Sequence, residues 1–281
     1  MAGSLMSSAN ALPNAIASLP RYGRYPDKRA ENADILQAAF FLAWAPAIIT
    51  EPLSMTCYFQ GCNEKGVTKE HIPPRSLFPE GERHQLLTVK ACKTHNNDKS
   101  TNDLYVLAQI CMHSSPRNRA REVFQDRVAP QLSHNNHALR RLLSKGAVQV
   151  PGGVAYPVDE TRFDEFFTAL SCGLIYKSQK AQLPRNYRIN HIYHQLLDNG
   201  SAAWKQFVAG VDEFYDAKPA RVLNFGSPDA LNERIYTVEI HGIPGFAGSI
   251  TIVHRFFGVF KVTSMLTRLV DGADPDGVPP A

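Results

Sequence analysis

The sequence has few cysteines, and their distribution argues against a secreted domain held together by disulfides. Only five occur in 281 residues. Three of them lie near one another at Cys57, Cys62 and Cys92, whereas Cys111 and Cys172 are isolated. A disulfide framework needs cysteines spaced throughout a short extracellular chain. We therefore expect reduced cysteines and a cytoplasmic location.

The sequence also lacks a hydrophobic run of membrane-spanning length. Its long apolar run, ILQAAFFLAWAPAIIT, begins at Ile35, ends at Thr50, contains Gln37 and is interrupted by Pro46. A membrane helix needs about 20 such residues, and no signal-peptide pattern precedes the run. We expect a buried helix or a segment that docks a protein partner. A membrane anchor is one alternative, and translation that begins naturally at Met55 is another.

Several function classes have no motif in this chain. We find no phosphate-cradling glycine-rich loop, no nucleophile elbow and no internal repeat, which argues against phosphoryl transfer from nucleotides and against serine hydrolysis. The hydrophobic content of 44% is enough for a substantial core, in one large or two small domains. The formal net charge of +4 permits nucleic-acid binding without requiring it.

What the sequence does have is a dense group of metal-ligand side chains between residues 57 and 103. Cys57 and Cys62 form one pair, and Cys92 and His95 form a second. Zinc prefers four such ligands in a tetrahedron, and two short-range pairs supply them with little strain. Four protein ligands close the shell, so we predict a structural zinc ion that stabilises the local fold by roughly 10 kcal/mol or more. The alternative is a set of buried free cysteines and a surface histidine.

Glu70 and His71 lie between the two pairs and need a separate explanation, because the tetrahedron is already full. A histidine beside a carboxylate can act as a general base, and a carboxylate with a nearby amide oxygen can hold a hard cation such as Mg²⁺. Asn96 can provide that amide. Because Asn96 follows His95 directly, a bound zinc ion would hold the start of its helix near the strand that bears Glu70.

These residues resemble the HNH endonucleases of the His-Me finger group. The family pattern is an acidic residue followed by His on a strand, a loop, and a Cys-x-x-Cys followed by Asn or His at a helix start. Glu70-His71 and residues 92–96 are similar to it. The resemblance implies a zinc-bound ββα nuclease motif in which His71 activates water and Glu70 and Asn96 bind a catalytic Mg²⁺ or Mn²⁺. It also implies DNA, rather than RNA, as the substrate.

The sequence departs from the family pattern at two positions. His95 stands where the family usually has its fourth Cys, which is a chemically mild change. The middle Asn of the family name has no clear match near His84-Gln85-Leu86, so the orientation of His71 has no explanation in the sequence.

A basic region follows the metal-ligand stretch. Between residues 115 and 145 the arginines are opposed only by Glu122 and Asp126, and such a cluster can follow a phosphate backbone. The alternative is a solvated helical face. The predicted nucleic-acid-binding residues are Lys99, Arg117, Arg119, Arg121, Arg140 and Arg141.

A second basic stretch contains three tyrosines, Tyr176, Tyr187 and Tyr193. Aromatic faces stack on unpaired bases, so this stretch is a candidate for a second contact surface. We expect His191 and His194 to be surface histidines.

Hydrophobic periodicity predicts the class α+β: a zinc-bound ββα motif within a mainly helical chain, with a C-terminal antiparallel β segment. One amphipathic helix uses Phe163 and Phe167, and another follows Ser201 and uses Phe207 and Phe214. We divide the chain into a flexible leader with the apolar segment (1–54), an HNH nuclease domain (55–113), a basic helical region (114–200), an α+β C-terminal region (201–269) and a disordered tail (270–281).

The sequence therefore predicts a metal-dependent HNH endonuclease that hydrolyses phosphodiester bonds of DNA. The main alternative is a zinc-knuckle protein that binds nucleic acid or acts as an adaptor without cutting. A third hypothesis is a membrane-associated effector anchored by the apolar run that begins at Ile35.

Overall fold

The computed structural model describes residues 56–83, 86–97, 100–114, 117–151, 153–194, 201–217, 222–225, 235–242 and 244–269. The predictions about the leader, the apolar run, Met55, Lys99 and the C-terminal tail concern residues outside these ranges. None of the helices within the ranges combines the length and the apolar character that a membrane crossing needs.

Helices and strands are mixed, which confirms the predicted α+β class. In chain order they are β1 (Thr68–Ile72), β2 (Leu87–Ala91), α1 (Thr94–Asn97), α2 (Ser100–His113), α3 (Asn118–Val123), α4 (Ala138–Ser144), β3 (Val148–Val150), β4 (Gly153–Ala155), α5 (Glu160–Gln179), β5 (Tyr187–Tyr193), α6 (Ala202–Asp216), β6 (Val222–Phe225), β7 (Tyr236–His241), β8 (Ile250–Phe256) and β9 (Phe260–Arg268).

Strands β1 and β2 form an antiparallel hairpin in which Glu70 lies opposite Val89 and His71 lies opposite Thr88. Successive side chains of a strand point to opposite faces, and burial follows this period: Glu70 and Val89 are buried, whereas His71 is half-buried and Thr88 is exposed. Strand β1 ends before Pro73, because a proline cannot donate a ladder hydrogen bond. Helices α1 and α2 follow the hairpin.

The largest sheet is five-stranded and antiparallel, with the strand order β5-β9-β8-β7-β6. Helix α5 contacts this sheet at β5 and β9, and it also contacts the hairpin at β1 and β2. The side chain of Asp159 caps its first turn by accepting a hydrogen bond from the Arg162 amide, and Phe163 and Phe167 are buried as predicted. Helix α5 therefore joins the two β units through one core.

Residues 249–262 carry the β-branched and aromatic side chains typical of strands. In the structure they are divided between β8 and β9, which form an antiparallel hairpin. Phe257 and Gly258 take positive φ angles of 49° and 70° at the turn, and Gly258 adopts this conformation without strain. The proposed boundary at residue 200 lies between β5 and β9, and the structure pairs all of β5 with residues 262–268 of β9.

Helix α4 begins at Ala138. Serine is a common helix N-cap, but Ser133 caps no helix here. The Ser133 hydroxyl instead donates to the Pro130 carbonyl oxygen at 3.2 Å. The φ angles of Asn135 and His137 are positive, at 47° and 60°, so these residues cannot belong to a right-handed α-helix, and the helix starts after them.

Helix α6 has the predicted amphipathic pattern, and Ser201 caps it, because the Ser201 hydroxyl accepts a hydrogen bond from the Trp204 amide at 3.2 Å. Its apolar face is not a core face. Phe207 is 48% exposed and Phe214 is 53% exposed. The opposite side of the helix contacts the sheet through polar groups, including an ion pair of 2.6 Å from Asp216 Oδ1 to Arg255 Nη2.

Candidate metal centre

The metal centre begins with a tight loop between Cys57 and Cys62. The Cys57 amide donates to the Glu64 carbonyl oxygen at 2.9 Å, and the Cys62 amide donates to the Phe59 carbonyl oxygen at 3.1 Å. Gly61 has a φ of 69°, the left-handed region that favours glycine. These bonds turn both cysteine side chains toward the same point, as the sequence predicted.

The structure brings the four predicted zinc ligands together. The three Sγ atoms and the histidine nitrogen all lie within 4.8 Å of one another, and this is the one group of three or more His, Cys, Asp or Glu ligands among the described residues. The Nδ1 atom of His95 lies 3.5 Å from Cys57 Sγ and 3.1 Å from Cys92 Sγ. Cys62 Sγ lies 4.0 Å from Cys92 Sγ.

These separations are those of a zinc tetrahedron. With bonds of about 2.3 Å to sulfur and about 2.0 Å to nitrogen, tetrahedral angles give S···S distances of about 3.8 Å and S···N distances of about 3.5 Å. Three thiolates and one imidazole are also the soft and borderline donors that zinc prefers. The cluster can therefore bind a metal such as zinc, with its protein ligands filling the shell.

Burial and hydrogen bonding shift the pKa values of the Cys57 and Cys92 thiols in opposite directions. Burial raises the pKa of the Cys57 thiol to about 11. Burial acts in the same direction at Cys92, but hydrogen bonds from the His95 amide and from the Cys57 thiol outweigh it and lower the pKa. Because a metal binds the thiolate, binding releases protons, and the affinity of the cluster for zinc rises with pH.

The loop is fastened to a segment more than 100 residues away. The Gln182 side-chain amide donates to the carbonyl oxygens of Cys57 and Cys62, the latter at 2.8 Å. In return, the Gln60 side-chain amide donates to the carbonyl oxygens of Pro184 at 2.7 Å and of Tyr187 at 2.9 Å. These bonds fix the metal centre to the start of β5.

Asn96 lies next to the hairpin. Its side-chain amide donates to the Lys69 carbonyl oxygen at 3.4 Å, one residue from Glu70 and two from His71. Asn96 follows the zinc ligand His95 directly, and it lies next to β1, as predicted from the sequence.

Glu70 and His71 leave β1 on opposite faces. Glu70 is 6% exposed and lies close enough to Tyr58 that its charge adds to the effect of burial in raising the pKa of that phenol. His71 lies on the more open face of the hairpin. The predicted imidazole and carboxylate are therefore adjacent along the chain, but their side chains point away from each other.

The charges of two arginines act on His71. Burial lowers the pKa of His71, and the positive charges of Arg75 and Arg83 lower it further. Arg83 in turn senses the charges of Arg127 and Arg75. Arg127 belongs to the predicted basic region between residues 115 and 145, whereas no role was predicted for Arg75 or Arg83.

The predicted nucleic-acid-binding arginines differ in availability. Arg119 is not available, because its side chain is 12% exposed and forms ion pairs with Glu82 and Glu122. Arg121 is exposed and bonds to the Asn118 side chain. Arg140 is half-buried, Arg141 is exposed, and Arg117 is half-buried.

The tyrosines of the second basic stretch are not available for stacking. Tyr176, Tyr187 and Tyr193 are all buried, and the Tyr193 hydroxyl donates to Asp164 Oδ1 at 2.5 Å. This corrects the expectation of a base-stacking surface.

The nearby histidines are not surface residues either. His191 Nδ1 lies 2.9 Å from the Ser264 hydroxyl, and His194 Nδ1 lies 3.1 Å from Asp212 Oδ1. Both imidazoles are interior groups held by the sheet and by α6.

No protein-family model matches the chain, and neither a curated protein nor a solved structure matches it.

Proposed function

We propose that this chain is a metal-dependent HNH-type endonuclease that hydrolyses phosphodiester bonds of DNA. One juxtaposition supports the proposal most. His95 belongs to the four-ligand cluster, and the next residue, Asn96, lies against β1 at Lys69. The cluster thus holds a helix start beside the strand that bears Glu70 and His71, as the similarity to HNH endonucleases implies.

In this proposal His71 is the general base. Its low pKa keeps the imidazole neutral near pH 7, which is the form that accepts a proton. The imidazole takes a proton from the water that attacks phosphorus, and the bond from phosphorus to the leaving oxygen breaks. The leaving oxygen then takes up a proton. The zinc ligands contribute position only, because their shell has no place for substrate.

A divalent cation, Mg²⁺ or Mn²⁺, on Glu70 and Asn96 is also part of the proposal, and it would offset the charge that develops on the phosphate. Carboxylate and amide oxygens are suitable donors for such ions. The placement of Glu70 supports the cation less well, because this side chain is buried on the face opposite His71.

The same burial favours a second function, that of a zinc-knuckle protein which binds nucleic acid or acts as an adaptor and never cuts. Such a protein needs the zinc ligands but makes no use of Glu70, His71 or Asn96. The bonds from Gln182 to the loop support this alternative, since they give the zinc cluster a structural role in the fold.

Incubation of zinc-loaded protein with supercoiled plasmid separates the two functions. The endonuclease predicts relaxed or linear plasmid only when Mg²⁺ or Mn²⁺ is added, and loss of cleavage in EDTA. Glu70→Gln should raise the metal concentration needed, whereas Glu64→Gln, a matched change at an exposed carboxylate, should behave like the wild type. Zinc content is measured before and after EDTA. Plasmid that is bound but stays supercoiled with every metal would establish the adaptor function instead.

A further inference from the structure

Three arginine side chains converge beside His71 through contacts with one short segment. Arg83 Nε donates to the Phe78 carbonyl oxygen at 3.1 Å. Arg127 Nε donates to the Ser76 carbonyl oxygen at 3.3 Å. Arg75 begins the same segment, which follows β1 after Pro73-Pro74. A guanidinium group from the end of the same segment, Arg83, and one from about 50 residues further along, Arg127, are thus fixed beside Arg75.

The group has no carboxylate partner at ion-pair distance within the described ranges. Arg119 and Arg255, by contrast, are each paired with acidic side chains. The negative charge of Glu80 acts on Arg83. Within the described ranges, however, the Glu80 carboxylate does not form an ion pair with the Arg83 guanidinium. Like charges held together raise the free energy of the fold unless an anion offsets them.

The geometry also indicates which part of each side chain faces a ligand. The Nε atoms of Arg83 and Arg127 are taken by backbone carbonyl oxygens. The terminal nitrogens of each guanidinium remain, and these form the planar fork that binds phosphate oxygens in pairs.

We propose that Arg75, Arg83 and Arg127 form an anion site that takes a backbone phosphate group of the substrate next to His71. The identification of the ligand as a phosphodiester rests on the proposed function, whereas the anion site itself does not. These residues differ from the predicted set at Arg117, Arg119, Arg121, Arg140 and Arg141, because they are held at the segment that directly follows the strand bearing His71.

Salt-dependent binding of a fluorescein-labelled DNA duplex to zinc-loaded protein, without added Mg²⁺ or Mn²⁺, tests the site apart from cleavage. Each lost phosphate contact lowers the slope of log K against log salt by about 1. We expect Arg75→Gln, Arg83→Gln and Arg127→Gln each to weaken binding and lower this slope. Lys205→Gln removes one charge at an exposed position in α6 and should leave both unchanged.

Arg83→Lys adds a test of geometry, because it keeps the charge and loses the fork. It should retain most of the salt slope but bind more weakly than the wild type. Arg75→Gln guards against misfolding as an explanation, since Arg75 is exposed. Zinc content and circular dichroism are compared for every variant.

The outcomes separate this proposal from the endonuclease. If all three arginine variants bind the duplex like Lys205→Gln while wild-type protein cleaves plasmid, the anion site is wrong and the endonuclease stands. If the arginine variants lose binding and even the wild type never cleaves, the anion site stands and serves a protein that binds without cutting.

Discussion

Gly173 in the middle of α5 lies directly against Ile72 at the end of β1. A Cβ atom at position 173 would stand 2.4 Å from Ile72 Cδ1 and 2.6 Å from its Cγ1. Ile72 is buried, so a movement of its side chain would displace other atoms of the packed core. Through this close contact, β1, which bears His71, packs against α5, and α5 also packs against the five-stranded sheet.

Gly173→Ala should therefore destabilise the protein although alanine is the better helix former. Alanine gains about 1 kcal/mol of helix propensity, but overpacking of a dense core costs about 1–3 kcal/mol. We expect a net loss of stability and a lower urea midpoint. Gly210→Ala is the matched control in α6, where an added Cβ would meet nothing within 4 Å, and it should raise stability by about 1 kcal/mol. Equal midpoints for the two variants would contradict this packing.

The zinc ligands can be tested without any assumption about activity. Cys92→Ala and His95→Ala should lose bound zinc, as measured by native mass spectrometry, and should melt at a lower temperature because metal binding contributes to folding. His95→Cys should keep zinc, since a thiolate can take the place of the imidazole. Cys111→Ala changes a buried cysteine outside the cluster and should keep its metal. Zinc retention in both alanine variants of the ligands would show that these residues do not hold it.

The contact between the metal loop and the start of β5 predicts a distant effect of Gln182. Gln182→Leu keeps much of the side-chain volume and removes the two hydrogen bonds to the carbonyl oxygens of Cys57 and Cys62. Leaving such acceptors unsatisfied costs about 1–3 kcal/mol. We expect weaker zinc binding in a competition with a chromogenic chelator. Gln131→Leu, at an exposed position, should leave the zinc affinity unchanged.

Because two interior histidines have lowered pKa values, we expect the protein to lose stability in acid. Burial lowers the pKa of His191 to about 4, and it lowers the pKa of His254 well below the ordinary histidine value of 6.5. Between pH 6.5 and about 4 the unfolded chain binds protons that the folded protein does not, so stability falls as the pH falls. Each histidine contributes up to about 1.4 kcal/mol per pH unit in this window.

Urea unfolding at pH values from 7 to 5 measures this dependence. His254→Gln removes a titrating group and should flatten the dependence of unfolding free energy on pH. His134→Gln, at an exposed position, should keep the wild-type slope. A variant at His254 with an unchanged slope would contradict the role given to the buried imidazole.

Sequence reasoning succeeded where the residue types themselves carry the signal. Cysteine and histidine in two short-range pairs indicate a metal site, and the structure brings Cys57, Cys62, Cys92 and His95 together. The roles of Glu70 and His71 stay predictions. Their adjacency in the sequence is visible, but the strand period sends their side chains to opposite faces.

Other features could not be derived from the sequence for physical reasons. The hydrophobic pattern of α6 defines an apolar face but not the direction in which it points, and polar contacts with the sheet turn Phe207 and Phe214 outward. Gln182 is a single polar residue in a loop, and it donates to the backbone carbonyl oxygens of Cys57 and Cys62. Every residue has a backbone carbonyl, so the sequence does not indicate which ones a side chain will bond to. Tyr187 and Tyr193 were expected on a base-stacking surface, but both are buried, and their hydroxyls donate to the Gly248 carbonyl oxygen and to Asp164 within the fold.

The central claim is that His71 removes a proton during phosphodiester cleavage, and the single-turnover rate of plasmid nicking by His71→Ala tests it most directly. Loss of a general base should slow cleavage by about 10²- to 10⁴-fold, with zinc content and duplex binding unchanged. His134→Ala should cleave at the wild-type rate. Cleavage by His71→Ala at the rate of the wild type would contradict the account.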